Sequence, residues 1–142
     1  MVCESELIAP IAPEDQALIA AATRVLEKNY HPVRHSVGAA VLGASGKIYA
    51  AINIKASWYG PCAEPIAIGM ALSEGERQIK AIVAVRKRDG QYFVISPCGN
   101  CRQLILGYAP DADVIYSDNG LIKKTNPRAL LPGAYESNLD QE

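Results

Sequence analysis

The sequence predicts one α/β domain, a single sheet covered by helices. Three observations point there. The chain has 142 residues, within the ~100–200 that a domain usually takes. Short apolar runs of strand length alternate with segments of helical periodicity. The composition, 49% hydrophobic and 20% charged, is that of an ordinary globular chain and not of a disordered one.

The elements follow in order. Ala12-Pro13-Glu14-Asp15 reads as a helix start, with proline and two acids suited to the N-terminal dipole. Leu18, Ile19, Ala22, Val25 and Leu26 then share one helical face, and His31-Pro32 stops the helix. The runs from Val37 to Leu42 and from Ile48 to Ile54 flank a Gly43–Gly46 turn and form a hairpin. A helix is expected from about Cys62 to Ser73, ended by Gly75. Ile79 to Val85 is the strongest strand signal, and Gln91 to Ile95 follows the Asp89-Gly90 turn. Ser96 and Pro97 read as N-cap and first turn of a short helix from Cys98 to Leu106. Strands at Asp113–Tyr116 and Leu121–Lys124 flank Asn119-Gly120, and one helical turn fits Arg128–Leu131. The whole chain, 1–142, is read as one domain with flexible ends at 1–12 and 137–142.

Charge and patterning narrow the function classes. Fourteen basic against fifteen acidic residues leave a net charge of −1, which argues against binding to a nucleic-acid polymer. The triplet Arg86-Lys87-Arg88 reads as an exposed hairpin flank. No apolar run approaches the ~20 residues of a membrane span, and no basic stretch precedes an apolar leader. A cytoplasmic protein without membrane partners is the expectation.

The cysteines point to chemistry. Cys62 opens one expected helix, and Cys98 and Cys101 open another at the i, i+3 spacing that puts two sulfurs on one side. Three soft ligands suit Zn²⁺ with a fourth position left for water. The unpaired N–H groups of two helix N-termini would offset the net negative charge of such a site, with Arg102 as a further donor. Glu64, two residues past Cys62, is near enough to exchange protons with that water without being a ligand. Two alternatives stand beside this. A structural zinc site needs a fourth protein ligand, from Cys3, His31 or His35. A redox Cys98–Cys101 pair leaves Cys62 unexplained.

At Cys62-Ala63-Glu64 and Pro97-Cys98-Gly99-Asn100-Cys101 the chain resembles the cytidine deaminase superfamily of zinc deaminases. The likeness continues through Val37-Gly38-Ala39-Ala40, Gly46-Lys47-Ile48-Tyr49, Ile52-Asn53, Cys101-Arg102-Gln103 and Leu130–Tyr135, and so spans most of residues 14–135. Within the superfamily the pattern is most similar to the blasticidin-S deaminase type, with cytidine deaminases next. The resemblance implies a three-layer α-β-α sandwich with a mixed five-stranded sheet. It also implies a Zn²⁺ cofactor held by Cys62, Cys98 and Cys101, with Glu64 as the proton-transferring residue. It further implies hydrolytic deamination of a small aminated heterocycle, blasticidin-S-like or cytidine-like, with release of ammonia.

Substrate contacts carried over by the resemblance are Asn53 to a sugar, the Ala63 N–H to the base carbonyl, the Ser96 carbonyl to the amine, and Tyr135 closing the pocket. A homotetramer with sites near subunit boundaries is implied as well. Other aminated purines, pyrimidines or triazines, a nucleic-acid-editing deaminase and a non-catalytic zinc module are the competing readings. Lys55, Pro65, Tyr135 and His35 stand where the cytidine enzymes usually carry Glu, Arg, Phe and Phe. Several residues keep two readings: Trp58 walls a pocket or plugs a loop onto the core, Asn53 is a contact or a turn residue, and Tyr135 is a pocket residue or a packed anchor. Lys55 meets an anionic group or is simply solvated.

Overall fold

In a computed structural model of the chain, residues 10–136 are described. Helix α1 (Pro13–Asn29) precedes the strands β1 (Val37–Gly43) and β2 (Ile48–Ile52), and α2 (Ala63–Ser73) follows. Then come β3 (Ile79–Arg88), β4 (Gln91–Ile95), α3 (Gly99–Tyr108), β5 (Asp113–Asp118), β6 (Leu121–Thr125) and a 3₁₀ turn at Pro127–Leu130. No helix among the described residues is long and apolar enough to cross a membrane. Cys3 lies outside the described residues, as do positions 1–9 of the flexible end expected at 1–12 and the whole of that expected at 137–142. Residues 11 and 12 are described: Ile11 packs against the core, and Ala12 caps α1.

The sheet runs β2-β1-β3-β5-β6, antiparallel throughout except for the parallel β3–β5 pair. It has six strands where five were expected. The reason lies in β3, whose one edge is shared: β5 pairs with Ala81–Val83 and β4 with Ala84–Arg88. β3 runs three residues past the expected Val85 because the Asp89-Gly90 turn extends its hairpin to Arg88. Both two-residue turns have positive φ at their central positions, Asp89 and Gly90, Asn119 and Gly120. That is the primed turn whose twist matches the strands it joins.

Strand alternation sorts the core into two layers. Ala40, Ala81, Val83, Val85, Val94 and Ile115 face α1, which buries Leu18, Ala21, Ala22 and Leu26 against them. Ala39, Val41, Ile82, Ala84 and Val114 face the opposite way, toward α2 and α3. The result is the expected helix–sheet–helix sandwich. Gly38 sets the approach of α1, since a Cβ there would run into the Ala22 carbonyl oxygen and the Leu26 side chain.

Two boundaries move. β2 ends at Ile52, two residues early, because the Asn53 side chain turns back to the start of β1: its Oδ1 accepts from the N–H groups of Ser36 and Val37, both at 3.0 Å. Helix α3 begins at Gly99 with Cys98, and not Ser96, as its N-cap. The Ser96 hydroxyl is spent elsewhere, donating to the Ser117 carbonyl of β5 at 2.6 Å. The Cys98 sulfur instead accepts from the Cys101 N–H at 3.5 Å.

Candidate metal and deaminase site

The site lies at one end of the sheet, where β1 begins and β2 and β4 end. Both helices that cover this face start there. Cys62 is the N-cap of α2 and Cys98 the N-cap of α3, so two sulfurs sit where backbone N–H groups are unpaired and the dipole is positive. Cys101, one turn into α3, is buried. The three sulfurs lie within 4.8 Å of one another, and those of Cys62 and Cys98 are 3.9 Å apart. Two sulfurs on one tetrahedral zinc, each bonded at ~2.3 Å, stand ~3.8 Å apart. The donor set therefore fits Zn²⁺ in chemistry and spacing.

The thiols are unlike one another. Burial pushes Cys62 and Cys101 up, and Cys101 is raised further by the neighbouring Glu64 charge. Burial acts on Cys98 too. It is outweighed by hydrogen bonds from Cys101, Cys62 and the Asn100 backbone, which leave Cys98 below its ordinary value. Of the two cap positions, the one that receives these hydrogen bonds, Cys98, thus supplies the readier thiolate.

Glu64, in the first turn of α2, is only 4% exposed. Burial raises its pKa above the ordinary carboxyl value; hydrogen bonds from its own N–H and from Cys101 offset part of that rise. It faces a cleft of about 270 Å³ lined also by Val37, Asn53, Trp58, Cys62, Ser96 and Cys98. Drug-sized ligands occupy pockets of ~300–1,000 Å³, so this one suits a compact heterocycle or nucleoside.

Residues 12–117 match the family described as the cytidine and deoxycytidylate deaminase zinc-binding region. The chain belongs to that family. It is 40% identical to a blasticidin-S deaminase from Bacillus cereus over 136 residues, 90% of this chain and 96% of the relative. A cytidine deaminase from Sporosarcina psychrophila is 38% identical, across 84% of this chain and 90% of its own. Among solved structures, the cytidine deaminase from Burkholderia pseudomallei superposes with a TM-score of 0.70 at 35% identity, covering 84% of this chain and 98% of that one. The cytidine deaminase from Mycobacterium tuberculosis gives 0.72 at 27%, over 86% and 97%. This family member is a zinc-dependent hydrolase of C–N bonds that replaces an amino group on a small heterocyclic base or nucleoside by a carbonyl.

The structure brings together most of the expected deaminase residues. Asn53, Trp58, Glu64, Ser96, Cys62 and Cys98 line one cleft, with Ala63 fully buried at the head of α2. Asn53 is both a turn residue and a wall residue: Oδ1 is held by β1, which leaves Nδ2 for a ligand. Trp58 does not plug the core; it is 90% exposed at the cleft mouth, beside Ser57 in a left-handed backbone conformation.

Tyr135 is not in the cleft. The residue is 73% exposed, and its backbone is clamped by the Gln103 amide through bonds of 2.9 and 3.1 Å. Arg102, expected as a donor to the sulfurs, donates instead to the carbonyls of Pro97 (2.7 Å) and Leu130 (3.0 Å). It fixes the thiol-bearing loop against the 3₁₀ turn. The apolar walls Val37, Ile54, Pro61 and Ile95 were missed because each reads as ordinary strand or loop sequence. Gly60 held a signal: a Cβ there would overlap the Ile54 carbonyl, so glycine alone lets the two sides of this loop touch.

Proposed function

We propose that Cys62, Cys98 and Cys101 hold the zinc and that Glu64 carries the protons of deamination. One observation carries the reading: a buried carboxyl group shares a cleft with thiols seated at two helix N-termini. Zinc bound to these three thiols would supply the acidity that turns a water molecule into a nucleophile toward a ring carbon. Glu64 takes one proton from the attacking water and hands it to the ring nitrogen; it then takes the second from the hydroxyl now on the ring carbon and delivers it to the amine, which leaves as ammonia as the C–N bond breaks and the carbonyl forms. Its raised pKa suits both directions of transfer near neutral pH. The Ser96 carbonyl accepts from the amine, the Ala63 N–H donates to the ring carbonyl, Asn53 Nδ2 binds the sugar or its equivalent, and Trp58 stacks at the mouth.

The substrate is blasticidin-S-like or cytidine-like, the two chemistries carried in the names of the relatives. The protein acts in the cytoplasm, a reading supported by its free thiols at Cys62, Cys98 and Cys101. It works as a homotetramer in which Tyr135 reaches a neighbouring cleft; the exposure of this residue, held through its backbone by Gln103, supports this. Ammonia release by zinc-loaded protein, measured on blasticidin S, cytidine, deoxycytidine, cytosine, and aminated purines and triazines, tests the substrate class. Turnover of either of the first two is expected. Turnover confined to triazines or purines contradicts the assignment, and a monomer in sedimentation removes the role of Tyr135.

A further inference from the structure

The cleft carries a charge that deamination does not use. Among the described residues Glu64 is its only acidic lining residue and lies buried; Lys55 lines it too and is exposed. No carboxylate among the described residues lies within ion-pair distance of Lys55. Its place is set by backbone. The Ile54 N–H bonds to the Pro61 carbonyl at 3.4 Å, and Ala56 and Tyr59 exchange bonds of 2.8 and 2.9 Å. Gly60 packs against the backbone of Ile54 and Lys55 with no room for a side chain. Lys55 therefore stands on a braced wall.

A second cleft of about 340 Å³ adjoins the first through shared Ile95 and Ser96. Arg86 and Arg88 line it, no acidic residue does, and neither arginine is ion-paired among the described residues. They point to the same side because they sit two apart on β3, on the face that α2 and α3 cover further along the strand. Among the described residues, the deaminating cleft is thus lined by one cation, Lys55, and one buried carboxyl group, Glu64, and the cleft beside it adds two further cations. A neutral ligand leaves these charges unmatched; an anionic substituent reaching the mouth is drawn to them.

We propose that Lys55 is a specificity-determining residue that selects aminated heterocycles bearing a carboxylate or phosphate away from the reacting amine, with Arg86 and Arg88 of the adjoining cleft adding to the positive field. The proposal rests on the reading of this cleft as the deaminating site. Its test is the ratio of kcat/KM for cytidine 5′-monophosphate, and for cytidine oxidised to its 5′-carboxylate, over that for cytidine.

The wild type is expected to favour at least one anionic compound by about tenfold, through KM. Phosphate preference alone identifies a nucleotide, and carboxylate preference alone an acid. Lys55→Met should erase the ratio, Lys55→Glu invert it, Lys55→Arg preserve it, and added salt diminish it. Equal efficiency on neutral and anionic compounds, or a ratio unmoved by Lys55→Glu, overturns the charge preference alone. Absence of ammonia from every compound overturns the deaminating site with it.

Discussion

Glu64 is a carboxyl group that folding holds in an environment favouring its neutral form, and the consequence is measurable. Burial raises its pKa above the ordinary 4.5. Between that value and its folded pKa the native state binds more protons than the unfolded one, so stability falls as pH rises through this window. Glu64→Gln removes the penalty. In metal-free protein the variant should melt higher than wild type at neutral pH, and the gap should close below pH ~4.5, where both states are protonated. Thermal melts across pH check this; a variant that melts lower at neutral pH would show the carboxylate to be stabilising. Such a cost, kept at one position, fits the proton-carrying role proposed for Glu64.

At the scale of elements, the two loops that bear the thiols are braced by polar side chains rather than by packing. Asn53 ties the end of β2 to the start of β1, and Arg102 ties the loop before Cys98 to the 3₁₀ turn. A third brace lies behind the site. Glu76, just past α2, accepts from the Ser45 N–H and hydroxyl and from the Tyr49 hydroxyl, gripping the β1–β2 turn. The Ser45 and Tyr49 hydroxyls hold its carboxyl below the ordinary value. A depressed pKa means stability present above pH ~4.5 and lost as pH falls through the folded value. Glu76→Gln should therefore lower Tm at pH 7 by an amount that shrinks in acid; an equal loss at pH 7 and pH 3 would assign the effect to packing.

These braces mark the limit of legibility in the sequence. Helix α1 was readable because Leu18, Ala22 and Leu26 repeat at helical spacing, and β3 because its apolar run is long. The thiols and Glu64 were readable because zinc chemistry restricts residue type and spacing. The cap of α3 was misread, since Ser96 is the better capping residue locally. Tertiary geometry assigns its hydroxyl to Ser117 and gives the cap to a sulfur. The uses of Asn53, Arg102 and Glu76 were hidden because each partner lies 5 to 31 residues away.

At the scale of the molecule, a buried ion pair joins the first described helix to the last strand. Lys124 Nζ on β6 lies 2.8 Å from Asp15 Oδ2 on α1, with Asp113 further off at 3.9 Å. Asp15 also accepts from the Ala12 N–H at 2.8 Å, so one carboxylate starts the first helix and holds the last strand. Lys124→Met should cost roughly 3 kcal/mol in denaturant melts, because it leaves Asp15 buried without its partner. Adding Asp15→Asn should recover part of that loss. Additive losses would show that the two residues act independently.

The pair belongs to a frame whose sheet order places β1 and β4 on opposite edges of β3. That arrangement delivers Cys62 and Cys98 to the same end of the sheet. The central claim is that this frame brings a zinc-binding thiol set and a proton-carrying Glu64 into one cleft. Its most direct test pairs zinc content with ammonia release in Glu64→Ala. The variant should hold one zinc per chain, melt cooperatively, and lose about 10²- to 10⁴-fold in turnover of the compound that wild type deaminates best. Retained turnover at one zinc per chain would contradict the account.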